Sequence, residues 1–403
     1  MKTAVWLYLF LFVAFFDLHA QYPMLTPFAV SLGAAPSFIG LVMGMYSLTH
    51  LPGNLLAGQG VDRFGSRYFI SASLIGAGIL LLLQARVDNP WDLLYIRSIS
   101  GFVLAFLSPA CMSMLARLAR DHIHQGKLMA GHGLVHTIAS VVSPAAGAWL
   151  AASIGFAASF TVLGWALLAT GIVSIAFIRE PTKLPMNSEG GAYEGQPQAP
   201  GAVPSAADPT GTLQAVPSGK FPWLVFILPV SLSCAQAILS FELPISARTS
   251  AEVMTAGLLF SVVSLGALVT LSLLFLNRYL PYTRTIAGLA ILAGCYYALA
   301  SGWPIPIVAV LFAIGMSKGV LFPAMSSFLL QLSGSGKYGR TFSYLSIALS
   351  VGSFLGPVAA GALRDRISPY FLCFVALMIA LLLLYPRKTY QEGWDSSPVA
   401  PPA

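Results

Sequence analysis

Charge is what this chain has least of. Only 9% of its 403 residues are Asp, Glu, Lys or Arg, while 57% are hydrophobic; a soluble domain carries about 25% charged residues. So little polar surface cannot coat a fold in water. A soluble globular protein is excluded and a polytopic membrane protein is implied. Cysteine is scarce as well. Cys111, Cys234, Cys295 and Cys373 fall in apolar stretches, with no CxxC pair and no Cys/His cluster. Neither a disulfide framework nor a metal site is supported, and no cofactor is expected. A nucleophile–base pair, a metal-ligand set and a phosphate loop are also missing, so nothing points to an enzyme. The net charge of +7 would suggest nucleic acid in a soluble chain. Here it reads as the Lys/Arg excess of cytoplasmic loops.

Long apolar runs are abundant. Segments of spanning length cover 4–30, 37–59, 67–86, 91–114, 128–152, 157–178, 221–246, 254–276, 284–301, 304–330, 341–363 and 369–386. This predicts an all-α membrane protein of twelve transmembrane helices, six on each side of residues 180–220. The middle stretch is rich in Pro, Gly, Ala and Ser and lacks apolar periodicity, so it reads as a flexible linker. The expected organisation is a six-helix bundle over 1–179, a cytoplasmic linker over 180–220, a second bundle over 221–387 and a cytoplasmic tail over 388–403. With both termini inside, fifteen of the 21 Lys and Arg lie on the cytoplasmic side and four on the other. That bias predicts N-in, C-in topology in the plasma (inner) membrane.

The two halves repeat. At a constant offset of 217, Pro27 meets Pro244, Gly40-Leu41 meets Gly257-Leu258, and Arg67 meets Arg284. At offset 214, Gly101 meets Gly315 and Pro109-Ala110 meets Pro323-Ala324; at offset 213, Ser143-Pro144 meets Gly356-Pro357. Many secondary transporters are built from such a duplicated six-helix unit. The repeat also decides how to read the first apolar run. Lys2 followed by "TAVWLYLFLFVAFFDLHA" could pass for a signal peptide. Yet it pairs with the seventh segment, Lys2 opposite the stretch that opens at Lys220, and it is longer than an ordinary signal core. It is expected to be the first membrane helix. Phe16-Asp17-Leu18 and Phe241-Glu242-Leu243 look alike but need an offset of 225, so the two acids are not repeat mates.

"GQGVDRFGSR", between the second and third segments, resembles the loop signature of the major facilitator superfamily. Gly58, Asp62, Arg63, Gly65 and Arg67 match, and Ser66 departs. "RSISG" resembles the fourth-helix motif of that family through Arg97 and Gly101. The fifth-helix antiporter signature survives in part as Ser143, Pro144 and Gly147, without its Gly-Pro pair. The eleventh helix keeps more, with Gly352, Gly356, Pro357 and Gly361. These small residues are read as a helix-packing motif. The resemblance, to drug:proton antiporter-like exporters of the family, covers the chain apart from the linker and tail. It implies two pseudo-symmetric bundles rocking about a central path lined by helices one, four, seven and ten. It also implies that the Asp62 loop latches the bundles.

All four charges inside predicted helices fall on those four helices: Asp17, Arg97, Glu242 and Lys318. A charge at mid-bilayer costs roughly 2.5–3.5 kcal/mol even on mild scales, so it is kept where it is paired, wet or functional. Asp17 is the expected proton or cation site. Burial and a neighbouring cation such as Arg97 pull its protonation in opposite directions. The bland alternative is a structural Asp17–Arg97 pair. Proton coupling is assigned to Asp17, Arg97 and Glu242, and substrate contact to Tyr46, His50 and Lys318. Lys318 could also pair with Glu242. His132 and His136 share a helix face at i, i+4, more as packed polar residues than as a metal site. Trp6, Tyr22 and Tyr46 could stack on a flat molecule. Two acids and two bases do not select the charge of a ligand.

The expected function is proton-coupled export of a small, partly apolar molecule by a monomeric transporter, with the lipid bilayer and protons as its other partners. A coupled nutrient importer and a non-transporting sensor or scaffold remain as alternatives.

Overall fold

A computed structural model describes residues 2–119, 122–178, 223–273, 278–333 and 338–384. The expected linker and tail lie outside these residues. Fourteen α-helices run in chain order: α1 Lys2–Ala20, α2 Tyr22–Ser31, α3 Pro36–Phe64, α4 Ser66–Gln84, α5 Pro90–Leu104, α6 Leu107–Leu118, α7 His122–Ile154, α8 Phe156–Phe177, α9 Ile227–Ile245, α10 Ser250–Ser272, α11 Pro281–Ala300, α12 Ile307–Ser333, α13 Tyr338–Leu363 and α14 Pro369–Leu384. A 3₁₀ turn at Trp223–Phe226 leads into α9. α1 with α2, and α5 with α6, are single crossings broken in the middle, so the fourteen helices make the twelve expected crossings. Among the described residues, ten helical stretches are long and apolar enough to span a bilayer. α3, which carries Thr49, His50 and Asn54, and the 16-residue α14 complete the twelve.

The breaks are proline's doing. Pro23 has no N–H for the carbonyl of His19, and Pro109 has none for that of Ala105. The first crossing therefore stops at Ala20 and restarts at Tyr22, and the fourth stops at Leu104 and restarts at Leu107. Proline also starts helices, at Pro36, Pro90, Pro281 and Pro369, where its missing donor costs nothing. Asn89 caps α5 through the Trp91 amide at 3.0 Å, and Thr249 with Glu252 forms a reciprocal capping box on α10. Many hydroxyls inside helices satisfy themselves on carbonyls one turn back, as Ser143 does on Ala139 and Ser233 on Pro229.

Packing realises the repeat. In the first half α1 packs on α7, α3 on α5 and α4 on α8. Their mates in the second half repeat the three pairings: α9 on α13, α10 on α12 and α11 on α14. Two long helix pairs join the halves, α3 on α13 and α7 on α10, and the short α2 adds contacts to α9 and α10. The two long pairs are repeat mates of each other. Gly40 lies against the carbonyl of Pro357, and Gly257 lies against the carbonyl of Pro144, so close that a Cβ at either glycine would overlap backbone. These contacts lie toward the face that holds the loops 32–35, 246–249 and 364–368. Nearer the opposite face, the nearest neighbours of Gly53, Gly60, Gly131, Gly266 and Gly319 belong to their own half.

Candidate functional site

The helix break places the central group. Gln21 is the hinge residue between α1 and α2, one turn beyond Asp17. Asp17 is 3% exposed, and its Oδ2 accepts from Gln21 Nε2 at 2.9 Å. The Gln21 side chain faces both ways: its Oε1 accepts from Arg97 Nη1, also at 2.9 Å. The structure thus corrects the direct Asp17–Arg97 pair. A neutral amide stands between the charges and relays one to the other. The remaining oxygen Asp17 Oδ1 and Arg97 Nε are buried without partners. Beside Asp17, a cavity of about 380 Å³ opens between α1, α7 and α8, lined by Phe16, Gly147 and Leu150 among others.

Arg97 is placed by a close helix approach. Gly101 lets α5 lie on the backbone of Tyr46 in α3, where a Cβ would overlap. The Arg97 guanidinium then sits 4.5 Å over the Tyr46 ring, a cation–π contact. His50 Nδ1 lies 3.0 Å from the Gly101 carbonyl, and its ring stacks on Tyr46 at 5.8 Å. His50 therefore ties α3 to α5. Tyr22 contacts His19 on one side and Phe260 of α10 on the other. Trp6 lies away from this group, on Phe177 and Phe10.

Three histidines gather around Phe15. Phe15 contacts His132 and His136, and His136 meets His19 at 5.2 Å between ring centres. His19 Nδ1 is 2.7 Å from the Phe15 carbonyl, so its ring points away from Asp17. Among the described residues no group of three or more His, Cys, Asp or Glu side chains is placed to hold a metal ion. Lys318, half-buried on α12, has His19 and His136 as its electrostatic neighbours.

Glu242 does not belong to this cluster. Arg364, just past the end of α13, grips it with Nε and Nη2, both at 3.0 Å. That bidentate bond holds the guanidinium above its ordinary range. Lys318 is therefore not the partner of Glu242, and the pairing of Glu242 with Asp17 in one coupling site is not what the geometry brings together.

The loop signature is placed as follows. Gly58, Asp62 and Arg63 belong to the end of α3, Gly65 is the turn and Arg67 opens α4. Gly65 has φ +87°, which favours glycine and turns the chain between two helices in one residue. Arg63 lies over Phe64 at 5.3 Å, and Arg67 donates to the Ile175 carbonyl in its own half. The side chain of Asp62 lies outside what is described, so its latching partner does too. The packing motif divides its work. Gly147 admits the backbone of Ala20, next to the hinge; Pro144 meets α10; Gly352 and Gly356 admit α9; Pro357 and Gly361 meet α3. Ser143 is buried on its own helix. Gln21 is the residue that sequence reasoning missed. Its signal was present: an amide at i+4 from a carboxylate in an otherwise apolar helix.

The chain matches the Major Facilitator Superfamily over residues 7–300 and 285–401. It is similar to the quinolone resistance protein NorA of Staphylococcus aureus (strain MRSA252), 22% identical over 378 residues, 89% of each chain. It is also similar to the multi-drug resistance efflux pump PmrA homolog of Lactococcus lactis subsp. lactis (strain IL1403), 22% identical over 355 residues, 86% of this chain and 84% of that one. Among solved structures, a bacterial homolog of the human lysosomal transporter Spinster, inward-facing and occupied, aligns with a TM-score of 0.72 at 15% identity over 98% of both chains. The nucleoside transporter NupG, solved as a point mutant, aligns with a TM-score of 0.65 at 13% identity, covering 96% of this chain and 100% of that one. With twelve crossings, a 6+6 repeat built into its packing and a family match along nearly its whole length, the chain belongs to the Major Facilitator Superfamily and is a multi-pass membrane transporter of small molecules.

Proposed function

We propose that the protein exports a small, partly apolar molecule in exchange for protons, with Asp17 as the proton carrier. One observation carries the reading: a buried carboxylate at a helix break, held to Arg97 only through the Gln21 amide. Such a carboxylate has no cation in direct contact to hold it ionised, so water access from either side decides whether it keeps its proton. The break beside it gives the first crossing a joint at that point. Rocking of the halves about the Gly40–Pro357 and Gly257–Pro144 crossings moves that access from one face to the other. The far-face packing suits a state open toward the Gly65 turn. We assign that face to the cytoplasm, with both termini, the 180–220 linker between bundles 1–179 and 221–387, and the 388–403 tail. The Asp62 loop acts on the same face as a latch, and the working unit is one chain. Similarity to two efflux proteins favours export.

A quinolone is the first probe to use, since a relative carries that substrate in its name. In proteoliposomes, an imposed pH gradient should drive its uptake against its own gradient, and a protonophore should abolish this. Accumulation indifferent to the protonophore would remove proton coupling. A second reading, coupled import, rests on Ser143-Pro144 where exporters of this type carry Gly-Pro. Reversing the imposed gradient separates the two.

A further inference from the structure

The bundle interior is more basic than its sequence suggests. Of its two acids, Glu242 is withdrawn by Arg364 at the end of α13. Asp17 remains, and its bonded oxygen is taken by Gln21. Against this single carboxylate stand Arg97 and Lys318, with His19, His132 and His136 close by. Arg97 has the Gln21 oxygen and the Tyr46 face. Lys318 has nothing: no hydrogen bond and no ion pair to any described residue, and its electrostatic neighbours are histidines rather than acids. His132 Nε2 is buried without a partner. A cation at membrane depth is retained where something offsets its desolvation. Here the protein supplies no anion to do so.

We infer that the substrate supplies it: the central site takes an aromatic organic monoanion, its carboxylate or sulfonate on Lys318 and its apolar body among Phe15, Tyr22 and Phe260. Lys318 belongs to the second half and the histidines to the first, so the anion bridges the two halves at the site around which they rock. Phe15 and Tyr22 lie on the two sides of the hinge, and the Tyr22 ring meets Phe260 of α10, an aromatic wall shared between the halves. An interior-negative potential pushes an anion outward, the direction that the proposed export runs. The inference names the substrate class of the transport site proposed above and rests on that reading.

Equilibrium binding to the purified full chain, without any gradient, tests it. The probes are 2-naphthalenesulfonate and its cationic match 2-naphthyltrimethylammonium. The sulfonate should bind and the ammonium should not compete. Lys318→Gln should weaken the sulfonate by at least about tenfold, Lys318→Arg should restore it to within about threefold, and Lys318→Gln should melt no lower than the parent, since it loses an unpaired cation and no bond. Failure of the sulfonate to bind, equal or tighter binding of the ammonium, or unchanged sulfonate affinity in Lys318→Gln would each overturn the assignment. Were Lys318→Gln not to fold, anion against cation on the unaltered protein decides alone. Because no proton gradient enters, a failed flux assay leaves this result standing, and a failed binding assay leaves proton coupling standing.

Discussion

Gly40 on Pro357 and Gly257 on Pro144 are the same crossing made twice, whereas Asp17 and Glu242 are not the same acid made twice. The halves share their packing because a close helix approach needs only small residues and a repeat supplies them in register. Their charges differ because pairing depends on which side chain a neighbouring helix happens to bring. Glu242 meets a guanidinium that is 30% exposed and is itself 12% exposed, near an end of the bundle where a fixed ion pair is easily hydrated. Asp17, deep in the first half, meets an amide. The carboxylate clamped by arginine has both oxygens committed to one ion pair. The one held by an amide keeps an oxygen without a partner. On the proposed reading, the difference between the halves is a division of labour within one duplicated frame.

That division can be broken at several points. The largest effect on stability is expected at the relay. Gln21→Leu leaves Asp17 without its hydrogen bond and strips Arg97 of one of its two contacts; orphaning buried charges costs about 3–5 kcal/mol. Thermal unfolding in detergent should show a steep loss of folded protein, while an unchanged melting temperature would mean the relay carries no load. Next, Gly40→Val and Gly257→Val each place branched carbon against a backbone carbonyl of the other half. If the crossings are equivalent, both should slow turnover by a similar factor, about tenfold for each 1.4 kcal/mol. They should also raise labelling of a cysteine placed at Ser246, as the far face fails to close. Sensitivity of one and indifference of the other would deny the symmetry. Glu242→Gln should cost about 1.5–3 kcal/mol, the worth of hydrogen bonds between charged groups, and leave pH-driven flux intact. Loss of coupling in that variant would return Glu242 to the proton path. The smallest effect is expected from deleting 185–215: a spacer of this composition can shorten without strain, and transport should persist with only a change in rate.

Much of this was legible beforehand. The spans expected at 37–59 and 157–178 appear as 36–64 and 156–177, because a bilayer demands long apolar helices and proline and glycine punctuate them. Gly40 with Gly257 and Pro144 with Pro357 were paired as repeat mates from spacing alone, though not that each glycine would pack on the other half's proline. That contact depends on how the halves meet, which spacing within a half does not encode. The same limit hid Arg364. It follows α13 in the chain and reads as a loop residue, and only the packing of α9 on α13 brings it to Glu242. Arg97 and Asp17 were expected near each other, with a direct pair as the structural alternative to a proton site; that pair was read from charge alone, and Gln21 was passed over because an amide carries none.

The central claim is that Asp17 carries the coupling proton and is not a structural partner of Arg97. Asp17→Asn tests it most directly, in proteoliposomes, by comparing counterflow without a gradient with accumulation driven by one. Asn still accepts from Gln21, and Arg97 keeps both of its contacts, so the variant should fold and melt within about 1 kcal/mol of the parent. It should exchange substrate downhill, because an amide mimics the protonated acid, and it should fail to accumulate substrate under a pH gradient. A stable Asp17→Asn protein that accumulates substrate as the parent does would contradict the account.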